Sequence, residues 1–220
     1  MPDLGLHDLA LFSFTVLVLN ATPGVDVIYT VTRTLQGGAR AGLVAAAGIA
    51  AGCVVHALLA AFGLAALLAV SQLAFALLKW AGAAYLAWLA WGMLRAAWRG
   101  DASASAPAAA PATPPDLRAV FRQGLLTNVL NPKVALFFLA FLPQFIDPAA
   151  AHKTLAFLLL GGWLIVQSLV FLAALIWLTL RLKRLSGSGA GSARLGRWLN
   201  GLGGTLFLLL AARLAGADTR

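Results

Sequence analysis

LNATPGVDVIY (residues 19–29) interrupts the first long apolar run of the chain with groups that a membrane helix usually avoids. Its polar and helix-breaking residues are Asn20, Thr22, Pro23, Gly24 and Asp26. A proline inside a helix removes a backbone hydrogen bond and moves the preceding residue out of the α region. Thr22 is a good N-cap residue, and proline is favoured at the first helical position. The stretch therefore predicts a break in the helix and a new half-helix that begins at Pro23.

The composition indicates that this break lies in a membrane. The chain has 220 residues, of which 61% are hydrophobic and 10% charged, and its mean hydropathy is +0.90, outside the range of soluble domains. About 20 apolar residues cross a hydrocarbon core. Windows of about that length lie at 9–29, 43–70, 73–94, 120–146, 154–180 and 198–215. We expect an all-α integral membrane protein with six transmembrane helices.

The basic residues predict how the protein is oriented. Eleven of them fall in the first, third and fifth connections: Arg33, Arg40, Arg95, Arg99, Arg118, Arg122, Arg181, Lys183, Arg184, Arg194 and Arg197. The other side holds Lys153, Arg213 and Arg220. The positive-inside rule then places these three connections in the cytoplasm and both termini outside. The net charge of +9 indicates contact with anionic membrane lipid and no binding of nucleic acid.

A linker divides the chain into two halves. Residues 99–118, RGDASASAPAAAPATPPDLR, are rich in Ala, Pro and Ser and lack apolar periodicity. They separate a first unit, 1–98, from a second unit, 119–220, each with three predicted helices. An odd number of spans gives the units opposite orientations, so we expect two inverted three-helix repeats.

The second half carries a counterpart of the first break. At an offset of 109 residues, NPKVALFF (131–138) lies over TPGVDVIY (22–29), and Pro132 follows the N-cap residue Asn131. We therefore expect helices one and four to be broken at Pro23 and Pro132. In inverted repeats the two half-helix N-termini face each other, and their amides and partial positive charges favour an anion. The carbonyl groups freed at each break would suit an ammonium group or a proton-carrying side chain.

The residues around the breaks are the candidate site. The substrate-binding candidates are Asn20, Thr22, Pro23, Gly24, Asp26, Asn128, Asn131, Pro132 and Lys133, and the proton-coupling candidates are Asp26 and His56. Counting about 1.5 Å per residue places Asp26 near the cytoplasmic interface and Lys133 near the midplane. A lysine at that depth is costly, which favours a function.

Each polar candidate also has a structural alternative. An acid in a first helical turn can simply complement the helix dipole, as Asp26 would. Asn20, Asn128 and His56 can hydrogen-bond a neighbouring helix. Gly48 and Gly52 form a GxxxG pair, which indicates close packing and permits a homodimer.

Four stretches together resemble the lysine exporter superfamily, in particular its homoserine/threonine resistance branch. They are NATPGVDVIYTVTRTLQGGARAGLVAAAGIAAG (20–52), LLKWAGAAYLAWLAWGMLR (77–95), FRQGLLTNVLNPKVALFFLAFLPQF (121–145) and LNGLGGTLFLLLAARLA (199–215). The resemblance implies a multi-pass exporter of amino acids and related small solutes in the bacterial inner membrane, driven by the proton motive force. It implicates residues 23–26 and 128–133.

We therefore expect a secondary transporter that exports an amino acid from the cytoplasm by alternating access, without a cofactor or a bound metal. An export carrier for metal ions or other cations is an alternative, although it would need several oxygen or nitrogen ligands. A non-transporting membrane assembly protein is another. An enzyme is not expected, because the sequence lacks HExxH, GxSxG and paired intramembrane acids.

Overall fold

The structure, a computed structural model, describes residues 4–22, 24–64 and 115–185. It also describes isolated positions, namely 80, 84, 87, 88, 90–92, 94, 95, 98, 205, 208, 209 and 212. Within these ranges the regular elements are helices, and one isolated bridge pairs Leu6 with Ile146. Most of the predicted third and sixth helices lies outside the described residues, as does most of the linker.

The first predicted span is broken where the sequence indicates. Helix α1 comprises Leu9–Ala21 and helix α2 comprises Val25–Leu58; Pro23 lies outside the described residues. Thr22, however, ends α1, because its amide and its hydroxyl both donate to the Val18 carbonyl, at 2.9 and 2.7 Å. The N-cap of α2 is Gly24. The prediction that Thr22 caps the new half-helix was wrong, because the preceding turn already uses its hydroxyl.

Helix α2 turns back on itself at Gly37 and Gly38. Both glycines have non-helical backbone angles, and Gly38 has φ 70°, which favours glycine. A β-carbon at Gly42 would collide with Thr34 Oγ1, although residues eight apart in a straight helix are separated by about 12 Å. The first predicted connection is therefore a tight turn between residues 25–36 and residues 39–58. A π-helical turn, Leu59–Leu64, continues α2.

The fourth predicted span is also broken. Helix α3, Leu117–Val129, and helix α4, Pro132–Leu136, lead into a π-helical turn, Phe137–Phe141, and a 3-10 turn, Leu142–Phe145. The segment Pro132–Phe145 is bent by 48° relative to Leu117–Val129. Asn131 is the N-cap, with its side-chain oxygen 3.0 Å from the Lys133 amide, and Pro132 opens the helix. Both assignments match the prediction.

Helix α3 begins earlier than the sequence suggested. The Asp116 carboxylate accepts from the Arg118 amide at 2.9 Å and caps the helix. The last two residues of the predicted linker, 117–118, are therefore helical. The final described helix, α5, comprises Lys153–Leu185.

The described helices fit a membrane protein. By length and apolar composition, Val25–Gly63, which folds back at Gly37 and Gly38, and Lys153–Arg184 each contain a segment that can cross a membrane. The bent pair Leu117–Val129 with Pro132–Phe145 makes a third candidate. The six-span arrangement of two inverted repeats stays a prediction.

The predicted cytoplasmic connections meet at one end of the bundle. Lys183 Nζ donates to the Leu35 carbonyl at 2.9 Å, and a β-carbon at Gly37 would lie 2.7 Å from Pro115 Cγ. Residues of the first, third and fifth connections therefore share what we call the basic end.

The N-terminal segment lies at the opposite end with the fourth connection. Leu6 bridges to Ile146, and the Asp147 amide donates to the Gly5 carbonyl at 2.8 Å. This separation of the two ends agrees with the distribution of basic residues.

The GxxxG pair packs α2 against α3 of the same chain. A β-carbon at Gly48 would collide with the Phe121 carbonyl, and one at Gly52 would lie 2.7 Å from Asn128 Cβ. The prediction of close packing is confirmed, but this face is covered within the chain. A second copy therefore cannot pack on this face, and the possible homodimer stays a prediction.

We expect Gly48→Leu to push α2 away from α3, because the contact is with backbone that cannot move aside. Overpacking of this kind costs roughly 1–3 kcal/mol, so the melting temperature of the purified protein in detergent should fall by about 2–12 °C. Gly162→Leu is the control, since nothing lies within 4 Å of a β-carbon there. Equal melting temperatures for the two variants would contradict the close packing.

Candidate functional site

The two helix breaks meet through Asp26. Its Oδ2 atom accepts from Asn131 Nδ2 at 3.0 Å and from Asn128 Nδ2 at 3.3 Å. Asp26 lies in the first turn of α2, and Asn131 is the N-cap of α4. The half-helix starts thus lie side by side, and an acid of the protein itself occupies the place between them.

This contact corrects the depth estimate. Asp26 and Lys133 were placed at different levels, yet the partner of Asp26 is only two residues before Lys133. A count at a constant helical rise assumes an unbroken helix, whereas Thr22 and Gly24 have extended backbone angles.

Lys133 joins the start of α4 to the end of α1. Its ammonium group donates to the Leu19 carbonyl at 3.0 Å and to the Thr22 carbonyl at 3.3 Å. The last carbonyls of a helix lack partners and carry a partial negative charge, so a cation is favoured there. The freed carbonyls that the sequence left open for an ammonium ligand are therefore bound by Lys133.

Gly24 and Asn131 each contact a different part of Lys133. A β-carbon at Gly24 would lie 3.1 Å from Lys133 Nζ, so Gly24 leaves room for the ammonium group. The Lys133 amide is bound by Asn131 Oδ1 at 3.0 Å. The first amide after Pro132 is thus already paired, which weakens the expected anion cradle there. Pro132 opens α4.

A cavity of about 30 Å³ lies beside the breaks. Its polar lining residues are Asn20, Asp26, Asn128, Lys133 and Ser168. Its other lining residues are Leu19, Val27, Ile49, Cys53, Val134, Leu164, Phe171 and Leu172. Four of the predicted site residues therefore surround one space. Asp26 and Lys133 both line it, but the described residues show no ion pair between them within 4.0 Å.

Three buried polar atoms at this cavity have no hydrogen-bond partner among the described residues. They are Asn20 Nδ2, Asp26 Oδ1 and Asn128 Oδ1. An unpaired buried polar atom costs about 1–3 kcal/mol. The residues that line the cavity thus carry one donor and two acceptors without partners among the described residues.

His56 lies behind the site and does not line the cavity. Its Nε2 atom is 3.2 Å from the Asn128 carbonyl, and its ring stacks on Phe138 with centroids 5.8 Å apart. It therefore holds the backbone of Asn128 in place, which is the structural alternative given for this histidine.

Sequence reasoning missed the contribution of α5. Ser168 donates from Oγ to Asn20 Oδ1 at 2.9 Å, and Leu164, Phe171 and Leu172 form an apolar wall on the same face. Counted from Leu164, the other three residues follow after four, seven and eight positions, which is the spacing of one helical face. The signal is weak because α5 is mostly apolar, and a serine in such a helix is more often a packing contact than a ligand.

The chain matches a family model and several known proteins. The model of the LysE type translocator family matches residues 17–217. An uncharacterized membrane protein of Pseudomonas aeruginosa is 39% identical over 182 residues, which are 83% of this chain and 84% of that protein.

Two further relatives carry functional names. A homoserine/homoserine lactone efflux protein of Salmonella typhimurium is 33% identical over 94% of this chain and 95% of its own length. A leucine efflux protein of Enterobacter sp. is 33% identical over 92% of this chain and 90% of its own length. No solved structure gives a significant match.

These matches confirm the resemblance drawn from the four sequence stretches, including its amino-acid efflux branch. The family consists of transporters, so the expectation that the protein is not an enzyme is also confirmed. The chain belongs to the LysE type translocator family and is a membrane transport protein.

Proposed function

We propose that this protein exports an amino acid, or a closely related small solute, from the cytoplasm by proton-coupled alternating access. The observation that carries the proposal is the cavity between the two helix breaks, where Asp26 and Lys133 face a space with unpartnered polar atoms. The names of the homoserine and leucine efflux relatives support the substrate class.

An amino-acid zwitterion complements the free groups of the cavity. Its ammonium group binds to the unpartnered oxygens Asp26 Oδ1 and Asn128 Oδ1, and its carboxylate accepts from Asn20 Nδ2. Lys133 reaches the carboxylate once its ammonium group leaves the carbonyls at the end of α1. Charge-assisted hydrogen bonds of this kind are about twice as strong as neutral ones. The substrate side chain then faces the apolar wall of α5.

The cavity must widen to take a substrate. Its volume of about 30 Å³ suits a water molecule, whereas small-molecule sites usually exceed roughly 300 Å³. Loading therefore requires that one end of the bundle opens, as alternating access demands.

Contacts between helices separate the cavity from each end of the bundle. Toward the basic end, the Tyr29 hydroxyl donates to the Val120 carbonyl at 2.7 Å and joins α2 to α3. Toward the other end, Phe12 packs edge-on against Phe145, with ring centroids 5.1 Å apart. Breaking one set of contacts while the other persists exposes the cavity to one side at a time.

We assign the coupling proton to Asp26. It is the acidic residue among the described lining of the cavity, and its protonation removes the charge that attracts the substrate ammonium group. His56 was the other candidate, but it is hydrogen-bonded behind the cavity.

The proposed topology follows the two ends of the bundle. The basic end lies in the cytoplasm, and both termini lie outside the bacterial inner membrane. Two inverted repeats, 1–98 and 119–220, are joined by the linker 99–118. In support, α1 with residues 25–36 runs toward the basic end, whereas α3 with α4 runs away from it. The basic end then contacts anionic lipid.

A metal-ion exporter receives no comparable support. Across the part of the chain that the structure describes, no three His, Cys, Asp or Glu side chains come together.

Substitution of Asp26 and Lys133, the two charged residues that line the cavity, provides the first test. Asp26→Asn and Lys133→Ala should each lower efflux of labelled leucine and homoserine from preloaded cells at least ~10-fold, because each removes a charge-assisted partner of the substrate. A proton uncoupler should lower wild-type efflux to the same level.

Asp147→Asn and Lys153→Ala are the matched controls, since both residues lie at the end opposite the basic end. They should leave efflux unchanged, and all variants should reach the membrane in equal amounts. Wild-type efflux by both Asp26→Asn and Lys133→Ala would exclude this site.

Thiol labelling tests the topology. Cys53 is the sole cysteine and is buried, so a Cys53→Ser background accepts single reporters at exposed positions. Ala149→Cys should react with a membrane-impermeant reagent in intact cells, whereas Arg40→Cys should react only after the membrane is opened. The reverse pattern would invert the proposed orientation.

A further inference from the structure

We propose that Ser168 is a positioning residue, whose hydroxyl orients the Asn20 amide so that Nδ2 faces the cavity as a donor for the substrate carboxylate. The inference rests on the proposed function, since it concerns how the same cavity recognises an amino acid.

The contact links two helices that lie far apart in sequence. Ser168 on α5 is 6% exposed, and its Oγ atom donates to Asn20 Oδ1 of α1 at 2.9 Å. Asn20 Nδ2 is buried without a partner among the described residues. The oxygen of the amide is therefore bound, its nitrogen has no partner among the described residues, and Asn20 lines the cavity.

Ser168 departs from the usual behaviour of a hydroxyl in a helix. Such hydroxyls commonly donate to the carbonyl four residues earlier, as Thr179 does to Leu175 on the same helix at 2.7 Å. Ser168 instead donates across to α1. In the structure the hydroxyl donates to the Asn20 oxygen, which leaves the Asn20 nitrogen on the side of the amide away from Ser168.

The direction of this hydrogen bond decides the chemistry of the cavity. If the Asn20 amide were reversed, its oxygen would join Asp26 Oδ1 and Asn128 Oδ1, the two unpartnered acceptors. Three acceptors together would disfavour a carboxylate. In the observed orientation, Asn20 Nδ2 is a second donor beside the Lys133 ammonium group. The cavity then has acceptors for the substrate ammonium group and donors for its carboxylate.

Transport kinetics in inside-out membrane vesicles test the role of Ser168. We expect Ser168→Ala to raise the KM for leucine about 10-fold, the loss expected for a hydrogen bond to a charged group, while the maximal rate changes less than about two-fold. Asn20→Ala should raise KM equally. The double variant should raise it no further, because both changes remove the same interaction.

A competitor without a carboxylate separates positioning from general damage. Leucinol keeps the ammonium group and the side chain of leucine but has an uncharged hydroxyl in place of the carboxylate, so Ser168→Ala should change its inhibition constant much less than the KM for leucine. Thr179→Ala, which removes a hydroxyl that bonds its own helix, should leave every constant unchanged.

Two results would overturn the role of Ser168 and leave the proposed function in place. One is a raised KM in Asn20→Ala with a normal KM in Ser168→Ala. The other is an equal loss of affinity for leucine and leucinol in Ser168→Ala. A normal KM in both single variants would instead overturn the proposed carboxylate site together with this inference. Leucine transport by the wild-type protein tests the proposed function independently.

Discussion

Backbone groups inside a membrane must find their partners within the protein, because the hydrocarbon layer offers none. Two breaks in apolar helices free several of these groups, and the structure pairs them with side chains of the opposite break or of the preceding turn. Lys133 binds the carbonyls at the end of α1, and the Asn131 side chain caps α4. The same pairs that make the breaks tolerable also hold them side by side.

The close approach of α2 and α3 makes this pairing possible. Gly48 meets the Phe121 carbonyl, and Gly52 meets the Asn128 side chain. A larger residue at Gly52 would occupy the space of the side chain that donates to Asp26. Small residues therefore act on the site indirectly, since they determine how near one break lies to the other.

The charged side chains are paired only in part. One oxygen of Asp26 accepts two hydrogen bonds, while its other oxygen has no partner among the described residues. Lys133 is bound to backbone carbonyls and not to the acid across the cavity. In the proposed mechanism this incomplete pairing is what a zwitterion exploits, because its two charged ends supply the missing partners.

Local chemistry explains what the sequence alone predicted. Hydropathy identified a membrane protein, proline and its preceding residue located the breaks, and the Asn131 cap was read from neighbouring residues. The tertiary structure decided which groups meet. Lys133 finds its partner 114 residues away at Leu19, and Ser168 finds Asn20 across 148 residues. The turn at which α2 folds back, at Gly37 and Gly38, was likewise visible only in the tertiary structure. Propensities act over a few residues, whereas hydrogen bonds between helices depend on packing that no short stretch encodes.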